Sequence, residues 1–451
     1  MDNIPNELLQ RIFALAIEPL RDDVNPVDED AAPWCLLRVC RLWENVALFS
    51  PELWSTIVIS AEHNCNTLEE QRFLALQLQR SGNAPLDIVL RMPDFYLSAN
   101  RGIPNMFALL AKASSRWRSF HVSGCMGGWK FAPSFDRIDG LPLLERVVLS
   151  NNPSPESHLR SDQDHDIRDG GFLFRNSPRL QCVVLNAPGA SAVRFQPDDC
   201  TRIVPWRQIR TYKAMYACWD EHVSNLAPMA RTLVDADLSL PNGRVGLLWN
   251  DRSPLELPSL KRLVVSHGVV LGLISAPALA ELHVYGAVEH QLPDFLARSA
   301  CKIRRLTLYQ CPTSARVLLD ILGGMSGTLE HLALELRGDE HGTASARNIL
   351  RGLSLVRADS DSKPEQLCPY LASIYWSTAK GIADHDALLV MVYSRWRAPS
   401  SKLREVDVHL NSRLVRSRDW YELRREGLDV KLVMMTKVAR AIREWREYLP
   451  V

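Results

Sequence analysis

The sequence predicts an α/β fold: a small N-terminal unit of three short helices, then a long solenoid that alternates strands of one parallel sheet with outer helices. Three observations lead there. A phrase of the form apolar–x–x–apolar–x–apolar recurs from residue 117 to residue 410. Helix-like stretches fall between several of its copies. The first 59 residues carry a different, helical periodicity that ends in an alternating run. At 451 residues the chain is too long for one compact core, so either two or more units or an elongated repeat array is expected.

Composition narrows the function classes. Hydrophobic content of 46% with 23% charged residues fits a globular protein. A net charge of +1 gives no global attraction to nucleic acid or membrane, and neither is expected as a partner. The ten cysteines, at 35, 40, 65, 125, 182, 200, 218, 301, 311 and 368, form no C-x-x-C pair and no finger-like Cys/His cluster. Free thiols in a reducing compartment are expected. Residues 1–20 lack the pattern of a secretory leader, since Asn6, Glu7, Arg11 and Glu18 interrupt the apolar residues. The apolar stretch 268–288 is as long as a membrane span, but it contains Pro277, Glu281 and His283 and reads better as part of a repeat. An intracellular protein, cytoplasmic or nuclear, is the expectation.

From the N-terminus, Leu8, Leu9, Ile12, Phe13, Leu15 and Ala16 recur at offsets of three and four within 4–17, which predicts an amphipathic helix. Pro5 and Asn6 start it, and Glu7 sits at the positive end of its dipole. Residues 18–33 hold three prolines and a run of acids, a loop. Trp34, Leu37, Val39, Cys40, Trp43, Val46 and Ala47 then trace a second helical face. Ser50, Pro51 and Glu52 look like a third helix start, and 54–59 alternates as a strand would. Cys35 and Cys40 point apart on a helix and form neither a metal pair nor a disulfide. So small a unit cannot bury every large apolar residue on two faces.

This ordered set resembles an F-box, in the form common in mushroom-type fungal proteins. The matching residues are Ile4–Pro5, Glu7–Leu8–Leu9, Ile12–Phe13, Val39–Cys40–Arg41–x–Trp43, Ala47 and Pro51–x–Leu53–Trp54. The long acidic insert at 18–32 is a departure that removes no motif residue. The resemblance implies docking to the Skp-family adaptor of an SCF-type cullin–RING ubiquitin ligase. It places Pro5, Leu8, Leu9, Ile12, Val39, Cys40 and Trp43 at or beside that interface, with Phe13 and Trp43 also able to serve only the core.

The repeated phrase occurs at 143–150, 179–186, 260–267, 279–286, 303–310, 329–336 and 403–410, with weaker copies at 117–124, 209–216, 233–240 and 371–378. Most spacings lie near the period of about 20–29 residues of leucine-rich repeats. Helix-like stretches at 294–300 and 314–325 complete the strand–helix–strand unit. The region resembles a degenerate leucine-rich repeat domain in which the expected Asn is mostly missing, Asn186 and Asn411 excepted. An ordinary α/β domain with recurrent strands is the alternative. Polar, Gly-rich gaps around 151–171 and 337–367 read as loops. Residues 417–433 read as a helix ended by Gly427 and then a strand, and 436–451 as a final capping helix. The expected division is 1–59, 60–415 and 416–451.

No catalytic constellation stands out: there is no H-E-x-x-H, no G-x-S-x-G, and 323–328 lacks the Lys of a P-loop. The His/Asp runs at 158–166 and 338–343 read as solvated loops, so no metal or cofactor is expected. The variable positions of the repeated phrase point to one sheet face. They include Lys213, Asp235, Asp237, Arg262, Glu281, His283, Tyr285, Arg305, Tyr309, His331, Glu335, Tyr375, Glu405, Asp407 and His409. Arg262, Glu281, His283, Tyr285, Arg305, Tyr309 and His331 are the candidate contacts for a target protein, because aromatics and Arg make strong interface anchors. The expectation is therefore a non-enzymatic substrate receptor of a ubiquitin ligase. One alternative is an F-box protein acting with the adaptor outside a full ligase. Another is a solenoid ligand-binder whose N-terminal helices are a cap.

Overall fold

The computed structural model describes residues 4–17, 32–60, 68–92, 103–124, 138–150, 174–186, 204–216, 219–240, 253–286, 288, 290–311, 314–336, 340–355, 367–378, 385–399, 401–410 and 418–434. Outside them lie most of the acidic insert, the 151–171 gap with the His/Asp run at 158–166, and the expected final helix at 436–451. The chain divides into two compact units, Met1–Leu233 and Val234–Val451.

The protein is α/β, with parallel strands throughout both units. In the first unit β1 (Thr56–Ser60), β2 (Leu86–Met92), β3 (Trp117–Gly124), β4 (Arg146–Ser150), β5 (Cys182–Asn186) and β6 (Thr211–Met215) pair in chain order. In the second unit the order is β7 (Asp235–Ser239), β9 (Arg262–Val265), β11 (Glu281–Tyr285), β12 (Arg305–Cys311), β13 (His331–Leu336), β14 (Ser373–Thr378), β15 (Glu405–Leu410) and β16 (Asp429–Met434). Two short strands, β8 (Leu255–Glu256) and β10 (Ile274–Ser275), form a separate parallel pair. Strands that neighbour in sequence and in space, joined by crossovers, are the arrangement the repeated phrase predicts. All eleven copies of the phrase contain a strand of these sheets. Of the strands outside the phrase, β1 and β16 are marked by their own patterns, whereas β2 is not, because LDIVL is a nearly continuous apolar run rather than a patterned one.

The first apolar position of each copy is the fixed point of its repeat. Trp117, Leu144, Leu180, Ile209 and Leu233 in the first unit are fully buried, and so are Leu260, Ile303, Leu329 and Leu371 in the second, with Leu279, Leu403 and Leu428 at 3% exposure or less. The backbone adds a second repeating contact. The carbonyl just before one strand accepts N–H groups from the residues that start the next. Lys261 O takes Ala280 N and Glu281 N at 2.9 Å, Ala280 O takes Arg304 N and Arg305 N, and Glu330 O takes Ala372 N and Ser373 N. Glu145 O does the same for Gln181 N and Cys182 N in the first unit. Each strand is thereby locked to the register of its neighbour.

One expectation changes here. The gap at 337–367 contains a helix, Glu340–Leu353. Ala346, Ile349, Leu350 and Leu353 lie on one face of it and are buried, a helical spacing concealed by the polar residues around it. Nearby, Arg395 is 1% exposed and donates to Leu353 O (2.7 Å), Leu367 O (2.7 Å) and Cys368 O (2.9 Å). It satisfies the carbonyls at the end of that helix and at the start of the approach to β14. The C-terminal helix Arg418–Arg425 does end at Gly427, whose φ is +99°, a conformation that favours glycine.

Arg395→Met keeps the apolar stem but leaves those carbonyls without donors. Urea unfolding of the purified chain should show a loss of about 3 kcal/mol. An unchanged midpoint would mean the guanidinium is not structurally required.

Candidate interaction surfaces

The N-terminal region folds as α1 (Asn6–Ala16), a 3-10 turn (Trp34–Arg38), α2 (Arg41–Leu48) and a second 3-10 turn (Pro51–Trp54). The single helical face expected over 34–47 is broken. Cys40 is extended (φ −163°, ψ 168°) and its carbonyl accepts Glu44 N to start α2. The tighter turn before it directs Trp34 and Leu36 inward, where regular α-helical spacing would favour Leu37. Leu9, Phe13, Trp34, Leu36, Val46, Ala47, Leu53 and Trp54 make the core. Trp54 stands edge-on to Trp34 (4.9 Å between ring centroids) and donates to Ala47 O at 2.8 Å. The core does not stop at residue 59. Phe73 and Leu76 of α3 (Leu68–Arg80) pack against it, Gln77 donates to Thr56 O at 2.8 Å, and the Arg80 guanidinium lies 4.5 Å from the Trp54 ring centroid.

What this core leaves outside is unusual. Among the described residues twelve large hydrophobic side chains are exposed, and eight of them lie between residues 4 and 49: Ile4, Leu8, Ile12, Leu15, Val39, Leu42, Leu48 and Phe49. Phe49 is 80% exposed and Leu15 75%. Single exposed apolar residues are ordinary, but this concentration in so short a stretch is not. Leu8 and Ile12 are one turn apart on α1.

The sequence-derived adaptor residues therefore separate. Pro5, Leu8, Ile12, Val39 and Cys40 are exposed, and Trp43 is half-buried with its ring 4.9 Å from that of Phe13. Leu9 is corrected to a core residue: it is 3% exposed and packs inside with Phe13. Leu15, Leu42, Leu48 and Phe49 join the exposed set, which the motif match did not mark. Their signal was the surplus of apolar residues over what a small core can hold.

The second surface is the polar face of the second unit's sheet. Residues opposite one another form rows across the strands. One row runs Asp235–Arg262–Glu281–Arg305–His331–Ser373–Glu405–Asp429. A second carries His283, Thr307, Ala333, Tyr375, Asp407 and Lys431, and a third Tyr285, Tyr309, Glu335, Ser377 and His409. The first row pairs its own charges. Arg262 meets Asp235 at 2.6 Å and Arg305 meets Glu281 at 4.0 Å, while Lys431 meets Glu405 at 2.7 Å across the β15–β16 edge. His331 Nδ1 lies 2.8 Å from Ser373 Oγ. Tyr285 and Tyr309 stand with ring centroids 5.0 Å apart.

Of the seven candidate target contacts, Arg262, Glu281, Tyr285, Arg305, Tyr309 and His331 are partly exposed. His283 is the exception: it is 3% exposed, and its Nε2 has no hydrogen-bond partner among the described residues. Burial, with Arg262 and Arg305 nearby, holds its pKa down at about 3. His331 is also lowered, by burial first and by Arg305 second. Among the described residues no group of His, Cys, Asp and Glu side chains is placed to hold a metal, and no helix is long and apolar enough to cross a membrane. Comparison with known protein families and with curated proteins returned no match to this chain.

Two predictions follow from burial. Leu9→Ala should cost about 2–5 kcal/mol in urea unfolding, whereas Leu8→Ala, one residue away and exposed, should leave stability within about 0.5 kcal/mol. Equal costs would contradict the division of α1 into an inner and an outer face. For His283, the unfolded chain protonates near the ordinary value of 6.5 while the folded chain does not until about 3. Stability is therefore lost as pH falls through that window. His283→Phe should make the acid slope of unfolding free energy shallower by about 1.4 kcal/mol per pH unit between those values. An unaltered slope would mean His283 protonates normally in the folded state.

Proposed function

We propose that this protein is a substrate receptor of the F-box type: its N-terminal region docks the Skp-family adaptor of a cullin–RING ubiquitin ligase, and its solenoid holds a target protein. The observation that carries the reading is the exposed apolar set at residues 4–49, placed directly over a closed aromatic core. Such a set is what a helical module needs when its binding partner supplies a hydrophobic groove. The order of motif residues from Ile4 to Trp54 supports the same partner, and all of them fall in this one module.

On this reading the chain contributes no reacting group. It raises the effective concentration of target lysines near a ubiquitin-conjugating enzyme, which the ligase supplies. The polar sheet face suits the second task, since its parallel ladder presents Tyr, His, Arg and carboxylate side chains on closely hydrogen-bonded strands.

The test is capture of purified Skp-family adaptor by the purified full-length chain. Binding is expected, and Phe49→Asp and Ile12→Asp should each weaken it by roughly tenfold or more while thermal unfolding stays near that of the unaltered chain. Failure of the unaltered chain to bind, or undiminished binding by both variants, would overturn the proposal.

A further inference from the structure

The polar face of the second unit is not electrically even. Over β7 to β12 the acids Asp235, Asp237 and Glu281 are nearly matched by Arg262 and Arg305. Over β13 to β16 the described outward positions carry four acids, Glu335, Glu405, Asp407 and Asp429, and one lysine, Lys431. The chain as a whole carries +1, so this end of the sheet departs from the protein's balance in the acidic direction.

The acids there are interleaved with aromatic rings. Register places Tyr309, Glu335, Ser377 and His409 side by side on four successive strands, and Tyr375 beside Asp407 in the adjoining row. Neighbouring strands are about 4.8 Å apart, so these side chains form one patch. The Tyr375 and His409 rings lie 4.8 Å apart. Burial and the charge of Glu335 push the Tyr375 hydroxyl's pKa up, which keeps the phenol neutral.

A second observation points to an absent hydrogen-bond donor. The His409 side chain is 7% exposed, and its Nε2 lies 3.3 Å from Asp407 Oδ1. Among the described residues His409 Nδ1, which is buried, has no hydrogen-bond partner. Buried polar atoms without partners are costly and rare. Carboxylates, ring faces and a waiting acceptor all favour the same class of group, an N–H-bearing cation.

We propose that the patch formed by Tyr309, Glu335, Tyr375, Asp407 and His409 is a recognition site for an arginine or lysine side chain on a basic segment of the target protein. This rests on the substrate-receptor reading and adds to it the chemistry of what is recognised. The guanidinium or ammonium would lie over the tyrosine rings and donate to the Asp407 carboxylate and to His409 Nδ1.

The experiment uses the full-length chain and three fluorescein-labelled ten-residue Gly/Ser peptides, carrying four arginines, four citrullines or four glutamates. Citrulline keeps the shape of arginine and removes its charge. Fluorescence anisotropy should show binding of the arginine peptide and weakening of roughly tenfold or more for the other two. Binding should fall as salt rises. Asp407→Asn and Tyr375→Ser should each reduce arginine-peptide affinity by roughly fivefold or more, and Glu335→Gln should do the same. Citrulline or glutamate peptides that bind as tightly as the arginine peptide would overturn the proposal, and so would full binding by both Asp407→Asn and Tyr375→Ser. The same variants should capture adaptor normally. For the unaltered chain, no binding of the arginine peptide with intact adaptor capture strikes this inference, while no adaptor capture with intact peptide binding strikes only the docking reading.

Discussion

Each repeat depends on one buried side chain at the start of its strand. From Trp117 to Leu428 this position is closed to solvent, and the preceding carbonyl commonly holds the N–H groups of the next repeat. The two contacts act together. The side chain anchors the strand against the helical layer, and the shared carbonyl sets its register. With register fixed, every second residue must face away from the core. The polar rows from Asp235 to Asp429 are therefore a consequence of the anchors rather than an independent feature. Loops can lengthen between repeats without disturbing these rows, because the strands on either side remain tied by anchor and carbonyl.

The N-terminal module is built under the opposite constraint. Its core is a cluster of aromatics closed by α3, and a core of that size cannot accept all the apolar residues that α1 and α2 carry. The surplus stays outside, from Leu8 to Phe49. Exposed apolar area of this kind is unfavourable for an isolated chain and becomes favourable only on burial. The protein thus has two surfaces of different physics. One is apolar and suited to affinity. The other is polar, aromatic and charged, and suited to discrimination.

The repeating part of the fold was legible because its signal is redundant. An anchor and two alternating apolar residues, repeated eleven times, survive the loss of the usual Asn. β2 escaped because LDIVL satisfies a strand, a helix or a buried segment equally well. The helix at 340–353 escaped because its apolar face is sparse and set among polar residues. In the N-terminal module about half of the exposed apolar residues, Ile4, Leu8, Ile12 and Val39, were legible in the motif. The inner and outer members of the adjacent pair Leu8–Leu9 were not, since periodicity places both near one face and only packing separates them. The break at Val39–Cys40 was hidden for a related reason: a 3-10 turn changes which residues point inward without changing composition. On the sheet face the parity was legible, but the burial of His283 and the concentration of acid near His409 required the register between strands.

Adaptor docking at the N-terminal surface is the central part of the proposal, and hydrogen exchange can locate it directly. Amide exchange should be measured on the full-length chain alone and with saturating purified Skp-family adaptor. The expected result is added protection confined to residues 4–17 and 32–49, with the strands from β7 to β16 unchanged. Protection that appears on those strands instead, or no added protection anywhere, would contradict it.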